Sequence, residues 1–454
     1  MQNALAYARA HHADYLTQFQ ELLRIPSIST LETHAGDIAR AANWLASELT
    51  RIGLNNVEIY PTDDHPMVYG EWIRTPDAPT LLVYGHYDCQ PIDPVDAWTY
   101  PPFGAEIHEG RVYARGASDN KGQHFAHLKA IESILAAEGS LPINIKVLLE
   151  GEEEISSPNI ETFITANKKM LLADSGVISD GAMLDDGQPS ILYGLRGVAG
   201  VEVRVNGPAR DLHSGSYGGT VLNPIQALTQ ILAQLHNADG SVAIPGFYDN
   251  VLPLTNTERD LLARAPYDEN TWRNNTGAKM PWGEPDFTLL ERIGARPTLE
   301  INGIWGGFQG EGVKTVIPAD AGAKITMRLV PHQDPRRLMD LLRDHLLRLA
   351  PPEVTVQVTL QSHCYPALMP IDSPEIRAAA GALEAVWGVE PVFTRGGGSL
   401  PVVAAFERLL DVPFVLLPLG LDDNRHSPDE HYRLDYFYKG IETAIRYYYA
   451  LGAG

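Results

Sequence analysis

Two histidines and several carboxylates follow short apolar runs that have the character of buried strands. His86 comes directly after the run TLLVYG (80–85), and Asp88 stands two residues further on. Ligands usually bind at the strand ends of an open α/β sheet. We therefore expect side chains at such positions to form one site. The residues concerned are His86, Asp88, Asp119, Glu152, Glu153, Glu154, Asp180 and His426.

Three adjacent glutamates, 152–154, follow the apolar run INIKVLLE (143–150). Like charges this close repel and raise one another's pKa unless a cation compensates them. An exposed acidic turn is the alternative. Taken singly, a histidine after a strand is often structural, and the Asp119-Asn120 pair in a glycine-containing loop is often a turn.

Together, histidine nitrogens and carboxylate oxygens are ligands that suit zinc or another first-row cation. Two cations that share a bridging carboxylate would lower the pKa of water and polarise a carbonyl group, which is the chemistry of hydrolysis. A glutamate that does not bind metal could then act as general base. The residue types thus predict a hydrolase with two divalent cations, most simply zinc, with manganese or cobalt as alternatives.

The elements around these residues alternate between buried strands and helices up to about residue 194. This alternation predicts an α/β fold with a mostly parallel sheet. From residue 195 the strands alternate apolar and polar positions, which is typical of an antiparallel α+β domain. Helical and buried-strand patterns return at 373–386 and 412–417. We therefore predict a catalytic domain formed by 1–194 and 363–454, interrupted by an inserted domain over 195–362.

Net charge and cysteine content indicate which binding partners and which cellular compartment to expect. The 454 residues include 57 acidic and 35 basic side chains, a net charge of −22, which argues against nucleic acid and anionic membranes as partners. Two cysteines, Cys89 and Cys364, do not form a disulfide framework, and the N-terminus lacks the pattern of a signal peptide. We expect a cytoplasmic protein.

Several longer motifs resemble the aminoacylase/carnosinase superfamily of dinuclear zinc peptidases, most closely its cytosolic nonspecific dipeptidase and carnosinase branch. The resemblance runs over nearly the whole chain, and the motifs occur in the family's order. They are GHYDCQP (85–91), RGASDNKG (115–122), LEGEEEISS (149–157), YGLRG (193–197), DLHSGSYGG (211–219), KTVIP (314–318), RLVP (328–331), RGGGSLP (395–401) and His426-Ser427.

This resemblance implies a role for each residue of the site. Asp119 would bridge two cations, and the peptide bond after it would be cis. Glu153 would be the general base that takes a proton from water and passes it to the leaving amine, and Asp88 would support the ligands. The implied metal ligands are His86, Asp119, Glu154, Asp180 and His426.

The resemblance also implies that the inserted domain is a lid that forms a homodimer. His213 of one subunit would then stabilise the oxyanion in the other subunit's site. The guanidinium of Arg328 would bind the substrate's carboxylate, because its planar fork matches that group. The implied pocket also contains Ser399, Gly398 and His363.

One position departs from the family pattern. Carnosinase-like members have Arg-Glu-Gly-Gly-Ser, and their glutamate meets the free amino group of the substrate, whereas this chain has Gly396 there. The first hypothesis is therefore a dipeptidase or small-peptide peptidase, and the second is an N-acyl amino acid deacylase. A non-catalytic dimeric binding protein is the remaining alternative, but it should have lost a ligand or the base.

Overall fold

The computed structural model describes residues 1–453, and its strands alternate with helices along most of the chain. The strands are β1 (Asn55–Tyr60), β2 (Met67–Trp72), β3 (Thr80–His86), β4 (Glu106–His108), β5 (Arg111–Tyr113), β6 (Asn144–Glu150), β7 (Ser175–Ile178), β8 (Ser190–Leu195), β9 (Gly197–Asn206), β10 (Leu212–His213), β11 (Thr298–Gly306), β12 (Val316–Ile317), β13 (Asp320–Leu329), β14 (Thr355–Cys364), β15 (Ala367–Leu368), β16 (Val392–Gly396), β17 (Phe414–Leu416) and β18 (His431–Arg433).

The helices lie mainly between strands and at the two ends of the chain. They are α1 (Gln2–Ala10), α2 (His12–Leu23), α3 (Ala35–Arg51), α4 (Gly122–Glu138), α5 (Ile160–Ala166), α6 (Lys168–Leu171), α7 (Ser214–Tyr217), α8 (Pro224–Leu232), α9 (Asn256–Ala263), α10 (Glu269–Thr276), α11 (Leu289–Gly294), α12 (Pro335–Leu349), α13 (Pro374–Trp387), α14 (Pro401–Leu410) and α15 (Leu434–Gly452).

The main sheet has the strand order β1-β2-β6-β3-β7-β17-β8-β15, and β16 also pairs with β8. Its central pairs, β6 with β3, β3 with β7 and β7 with β17, are parallel. The flanking pairs β1 with β2, β2 with β6 and β15 with β8 are antiparallel. The predicted α/β fold is confirmed, and the carboxyl ends of the parallel strands lie along one edge.

Burial explains why the central strands are continuous apolar runs. Every residue of β6 and β7 is buried, because helices cover both faces of a parallel sheet. Helix α4 is enclosed as well: all its residues from Gly122 to Ile134 are buried, and α1 and α15 pack against it. The core around α4 therefore anchors the loop that precedes this helix, which carries Asp119.

Four of the strands between β8 and β15 form a second, antiparallel sheet with the order β11-β13-β9-β14, and the other two, β10 and β12, pair with each other. We call residues 197–364, from β9 to β14, the insert. Along β9 the buried side chains alternate with more exposed ones, and α8 and α12 pack against this sheet. The apolar core of the insert is separate from the two clusters that flank the main sheet. The expected α+β insertion is therefore present.

The structure also differs from expectation in places. The segment 240–302, which shows few clear periods in the sequence, contains α9, α10 and α11. In the sequence, Asp37 stands just before a segment with helical periodicity, which predicts it as an N-cap. In the structure α3 begins at Ala35, and Asp37 lies in its first turn, where it pairs with Arg40 at 2.7 Å. Cys89 and Cys364 are both buried and unpaired. Among residues 1–453, no helix combines the length and apolarity needed to cross a membrane.

Candidate metal centre and substrate cleft

Parallel strands bring the predicted ligands to one edge of the main sheet. His86 is the last residue of β3, Asp180 follows β7 by two residues, and the glutamates follow β6. These strands are neighbours in the order β6-β3-β7. Their side chains therefore converge although they are far apart in the sequence.

Asp119 lies between the two histidines. Its Oδ1 is 3.1 Å from Nε2 of His86, and its Oδ2 is 3.0 Å from Nε2 of His426. The structure contains two groups of potential ligand atoms that share Asp119, and within each group the atoms lie within 4.8 Å of one another: His86, Asp119 and Asp180, and Asp119, Glu154 and His426. The Asp119–Asn120 peptide bond is cis, which confirms that prediction.

Glu154 presents an unpaired oxygen to this group. Its Oε2 accepts a hydrogen bond from Nε2 of Gln90 at 2.9 Å and lies 3.3 Å from Nε2 of His426. Its Oε1 is buried and has no hydrogen-bond partner among the described residues. A buried carboxylate oxygen without a partner is costly, and a cation would satisfy it. The residues present therefore fit two divalent cations.

Electrostatics point in the same direction. Burial raises the pKa of Asp119, but hydrogen bonds with His426 and His86 outweigh burial and hold this pKa below its usual value. Hydrogen bonds with Asp119 and Glu154 raise the pKa of His426 to about 10. The carboxylates thus attract positive charge strongly, whether that charge is a proton or a metal cation.

Asp88 connects the ligands to one another. Its Oδ1 accepts the backbone N–H of Glu153 at 3.2 Å and its Oδ2 accepts that of Glu154 at 3.0 Å. Oδ1 is also 3.3 Å from Nδ1 of His86. Asp88 is completely buried, so it holds the histidine and the glutamate backbone in one fixed arrangement.

The three adjacent glutamates have different environments. Glu152 is buried and accepts backbone N–H groups from His65 at 3.2 Å and Asn159 at 3.0 Å, so it stabilises the turn. Glu153 lines a cleft together with Glu154. Burial raises the pKa of Glu153 well above its usual value. Glu153 is adjacent in the chain to Glu154 but belongs to neither of the two groups of potential metal ligands.

A buried ion pair, absent from the sequence prediction, fixes the loop that carries Asp119. Glu430 accepts the backbone N–H groups of Gly116, Ser118 and Asp119 at 3.0, 3.0 and 3.1 Å. It also pairs with Nη1 of Arg115 at 2.7 Å. Glu430 lies four residues after His426, so the same C-terminal segment supplies a potential ligand and supports the loop.

The cleft beside Glu153 has a volume of about 640 Å³. Arg328, Ser399 and His363, the side chains expected to bind substrate, line it. Nη1 of Arg328 donates to Oγ of Ser399 at 3.0 Å. The structure does not bring Gly398 or His213 to this cleft: both are exposed and neither lines it.

Gly396 is closed on its side-chain face. A Cβ atom at this position would lie 2.9 Å from Cδ2 of Leu195 and 3.0 Å from Cδ2 of Leu192. No side chain extends from here toward a substrate. Besides Glu153 and Glu154, Glu161 is the acidic residue that lines the cleft, and Arg408 pairs with it.

Comparisons with known proteins agree with this architecture. The chain is 33% identical over 457 residues to the Cys-Gly metallodipeptidase dug1 of Schizosaccharomyces pombe, covering 97% of this chain and 96% of that protein. It is 31% identical to the Beta-Ala-His dipeptidase of Homo sapiens, covering 95% and 88%.

Solved structures give the same result. The M20 family metallo-carboxypeptidase Sso-CP2 from Sulfolobus solfataricus superposes with a TM-score of 0.87 at 35% identity, covering 97% of this chain and 99% of that one. The di-peptidase Dug1p of Saccharomyces cerevisiae gives 0.83 at 27% identity, covering 100% and 98%. Residues 82–450 match the description of peptidase family M20/M25/M40. The chain therefore belongs to this peptidase family.

Proposed function

We propose that this protein hydrolyses the amide bond of dipeptides or other small peptides in a reaction that depends on two divalent cations. The observation that carries the proposal is the pair of ligand groups that share Asp119, next to the cleft lined by Glu153 and Arg328. The similarity to a Cys-Gly metallodipeptidase and a Beta-Ala-His dipeptidase supports it. The two groups contain the five side chains expected to be ligands, and Glu153, the expected base, lines the cleft.

His86, Asp119 and Asp180 would hold one cation, and Asp119, Glu154 and His426 the other. When bound, such cations lower the pKa of water and polarise the scissile carbonyl group. Mixed histidine and carboxylate ligands suit zinc, and they also accept manganese or cobalt.

The protein's own groups would bind the substrate and transfer the proton. The guanidinium of Arg328, oriented by Ser399, binds the substrate's carboxylate through two parallel N–H donors. The carboxylate of Glu153 accepts a proton from the attacking water and returns it to the leaving amine. Asp88 keeps His86 and the backbone of Glu153 in place while this happens.

We further propose that residues 195–362 form a lid that joins two copies of the chain into a homodimer in the cytoplasm. Exposed apolar side chains on the insert, among them Ile304 and Phe308 at 56% and 46% exposure, support an interface there. His213 of the second copy would then supply the oxyanion donor, since the chain's own His213 does not line the cleft.

N-acyl amino acid deacylation is the second candidate, and Gly396 favours it. The closed face of this glycine leaves no carboxylate at the position where carnosinase-like enzymes meet a free amino group. An N-acylated substrate has no ammonium group and does not need a carboxylate at this position. A free dipeptide would need another acidic partner for its ammonium group.

A hydrolysis panel separates the candidates. The protein would be stripped with chelator, reloaded with zinc or manganese, and offered free dipeptides, the same dipeptides N-acetylated, and simple N-acetyl amino acids. We expect turnover of free dipeptides by the reloaded protein. Turnover of the acylated compounds alone would establish the deacylase instead.

Glu153→Gln in the same panel tests the base. This change keeps the shape of the side chain and removes its basicity, so we expect kcat to fall by about 10² to 10⁴ with the metal content unchanged. Glu353→Gln, at an exposed carboxylate outside the cleft, is the matched control. Activity that survives Glu153→Gln would contradict the proposed role of this residue.

A further inference from the structure

A second arginine, Arg336, lines the same cleft as Arg328. Arg328 belongs to β13 and is half-buried, whereas Arg336 stands at the start of α12 and is exposed. The sequence motifs do not single out Arg336, and the proposed mechanism does not use it. Its place on the cleft wall therefore needs a separate explanation.

The side chain of Arg336 is turned toward the cleft by His363. Its Nε donates to Nε2 of His363 at 3.4 Å. In this contact the imidazole nitrogen is the acceptor. Nη1 and Nη2 of Arg336 have no protein acceptor among residues 1–453, and those are the atoms with which a guanidinium binds a carboxylate in a bidentate manner.

Neither arginine of the cleft has an acidic partner. No carboxylate of the described residues lies within 4.0 Å of the guanidinium of Arg328 or Arg336, although neighbouring arginines are paired: Arg337 with Asp249 at 3.1 Å, and Arg408 with Glu161. The chain has 57 acidic side chains against 35 basic ones. Two guanidinium groups without a carboxylate partner thus line one cleft of an acidic protein.

We propose that Arg336, together with His363, selects substrates whose C-terminal residue has an acidic side chain. The inference rests on the proposed function, in which Arg328 binds the α-carboxylate of that residue. The free Nη atoms of Arg336 then bind the side-chain carboxylate of a C-terminal aspartate or glutamate. The preferred substrates are dipeptides, or acyl amino acids, that release a dicarboxylic amino acid.

The test compares isosteric pairs. Values of kcat/KM would be measured with the metal-loaded protein for Ala-Glu against Ala-Gln and for Ala-Asp against Ala-Asn. A charge-assisted bidentate contact predicts a preference of about tenfold for the acidic member. In Arg336→Gln we expect this ratio to fall close to one.

Arg337→Gln is the matched control, because this adjacent arginine is also exposed but does not line the cleft. We expect it to retain the preference for the acidic member. A wild-type ratio near one would overturn the inference, and so would a preference that persists in Arg336→Gln.

Failure of the inference and failure of the proposed function give different results. The binding of Ala-Glu and Ala-Gln to the metal-loaded Glu153→Gln variant, measured by calorimetry, reports recognition without turnover. Hydrolysis without a preference would leave the function standing and overturn the role of Arg336. A binding preference without hydrolysis by the wild-type protein would support Arg336 and contradict the dipeptidase.

Discussion

Asp88 shows how much of the site depends on one side chain that touches neither substrate nor, in our assignment, metal. It accepts backbone N–H groups of Glu153 and Glu154 and lies beside Nδ1 of His86. A histidine ligand is oriented and made more basic by a carboxylate on its other nitrogen. Asp88 therefore couples the position of the proposed base to that of a ligand.

Asp88→Asn tests this coupling. The amide oxygen of asparagine can accept one of the two backbone N–H groups, but its NH₂ group is a donor and cannot accept the second. We therefore expect zinc affinity to fall by about 10- to 100-fold. The measurement is a competition titration with a chromogenic chelator, and circular dichroism serves as the folding control. Unchanged zinc affinity in a folded variant would show that Asp88 acts only as a packing residue.

His127 gives a prediction about pH and stability. It is completely buried, with Nδ1 2.8 Å from the Tyr448 hydroxyl and Nε2 2.7 Å from Oγ of Ser179. Burial lowers the pKa of His127 from 6.5 to about 3. The unfolded chain therefore binds a proton below pH 6.5 that the folded chain excludes until near pH 3. The contribution of neutral His127 to the free energy of unfolding is therefore fully present above pH 6.5 and is lost as the pH falls from 6.5 to about 3.

Below the ordinary histidine pKa, the free energy of unfolding of the wild-type protein should decrease as the pH falls. In His127→Gln we expect this decrease to be smaller by about 1.4 kcal/mol per pH unit. Urea unfolding of the chelated protein at a series of pH values measures this slope. His124, which is also buried with a lowered pKa, contributes equally to both proteins. Identical slopes would mean that His127 is protonated in the folded state.

At the level of single residues, the sequence predicted which side chains converge but not what holds them. His86, Asp180 and Glu154 could be identified because they stand at the end of a buried strand or shortly after it. The different roles of the three glutamates could not, because the role of Glu152 depends on its contact with His65, which is 87 residues away in the chain. The same is true of Gln90, whose hydrogen bond to Glu154 crosses the site.

Among the secondary-structure elements, the loop before α4 is the one whose position matters most for the site. Glu430 is 1% exposed and binds three backbone N–H groups of this loop as well as Arg115. The removal of one charge from a buried pair leaves the other uncompensated. The C-terminal segment therefore supports this loop in addition to carrying His426, which we propose as a ligand.

Glu430→Gln should lower the free energy of unfolding by about 3–5 kcal/mol, which thermal unfolding would record. The neighbouring Asp429→Asn is the control, because Asp429 is only half-buried and its carboxylate accepts exposed hydrogen bonds from Thr99. We expect this control to shift the melting temperature only slightly. Equal shifts in the two variants would mean that burial of the Arg115 pair adds nothing.

The elements of the main sheet could be predicted because burial on both faces leaves continuous apolar runs. The alanine and leucine pattern of the sequence predicts a helix over 122–138, and α4 has these bounds. Helices α9 and α11 escaped the periodicity analysis because they are short. Each has a capping box, Thr255 with Glu258 and Thr288 with Glu291, and this local pattern could have revealed them.

On the scale of the whole molecule, the insert has a separate core but is tied to the main sheet. Arg395 on β16 pairs with Glu258 on α9, and Arg328 donates to Ser399 across the same boundary. Substrate would therefore bind between the two parts. No pattern within one element could predict these contacts, because each joins segments more than 70 residues apart.

A mixing experiment tests the proposed dimer. His213→Ala and Glu153→Gln should each be nearly inactive as homodimers, because each site lacks one group. In a hybrid dimer, one site receives Glu153 from its own chain and His213 from the other chain. If equal amounts exchange subunits freely, we expect recovery of about a quarter of wild-type activity. The absence of recovery after subunit exchange, verified by mass spectrometry, would show that His213 does not act in the partner's site.

Hydrolysis of free dipeptides depends, in our proposal, on two cations held around Asp119. The most direct measurement is the rate of hydrolysis of a free dipeptide by wild-type protein before and after removal of metal, with the metal content determined on the same samples. We expect stripping to lower the rate by at least about 10³ and two equivalents of zinc or manganese per chain to restore it. Undiminished dipeptide hydrolysis by protein that contains no metal would contradict this account.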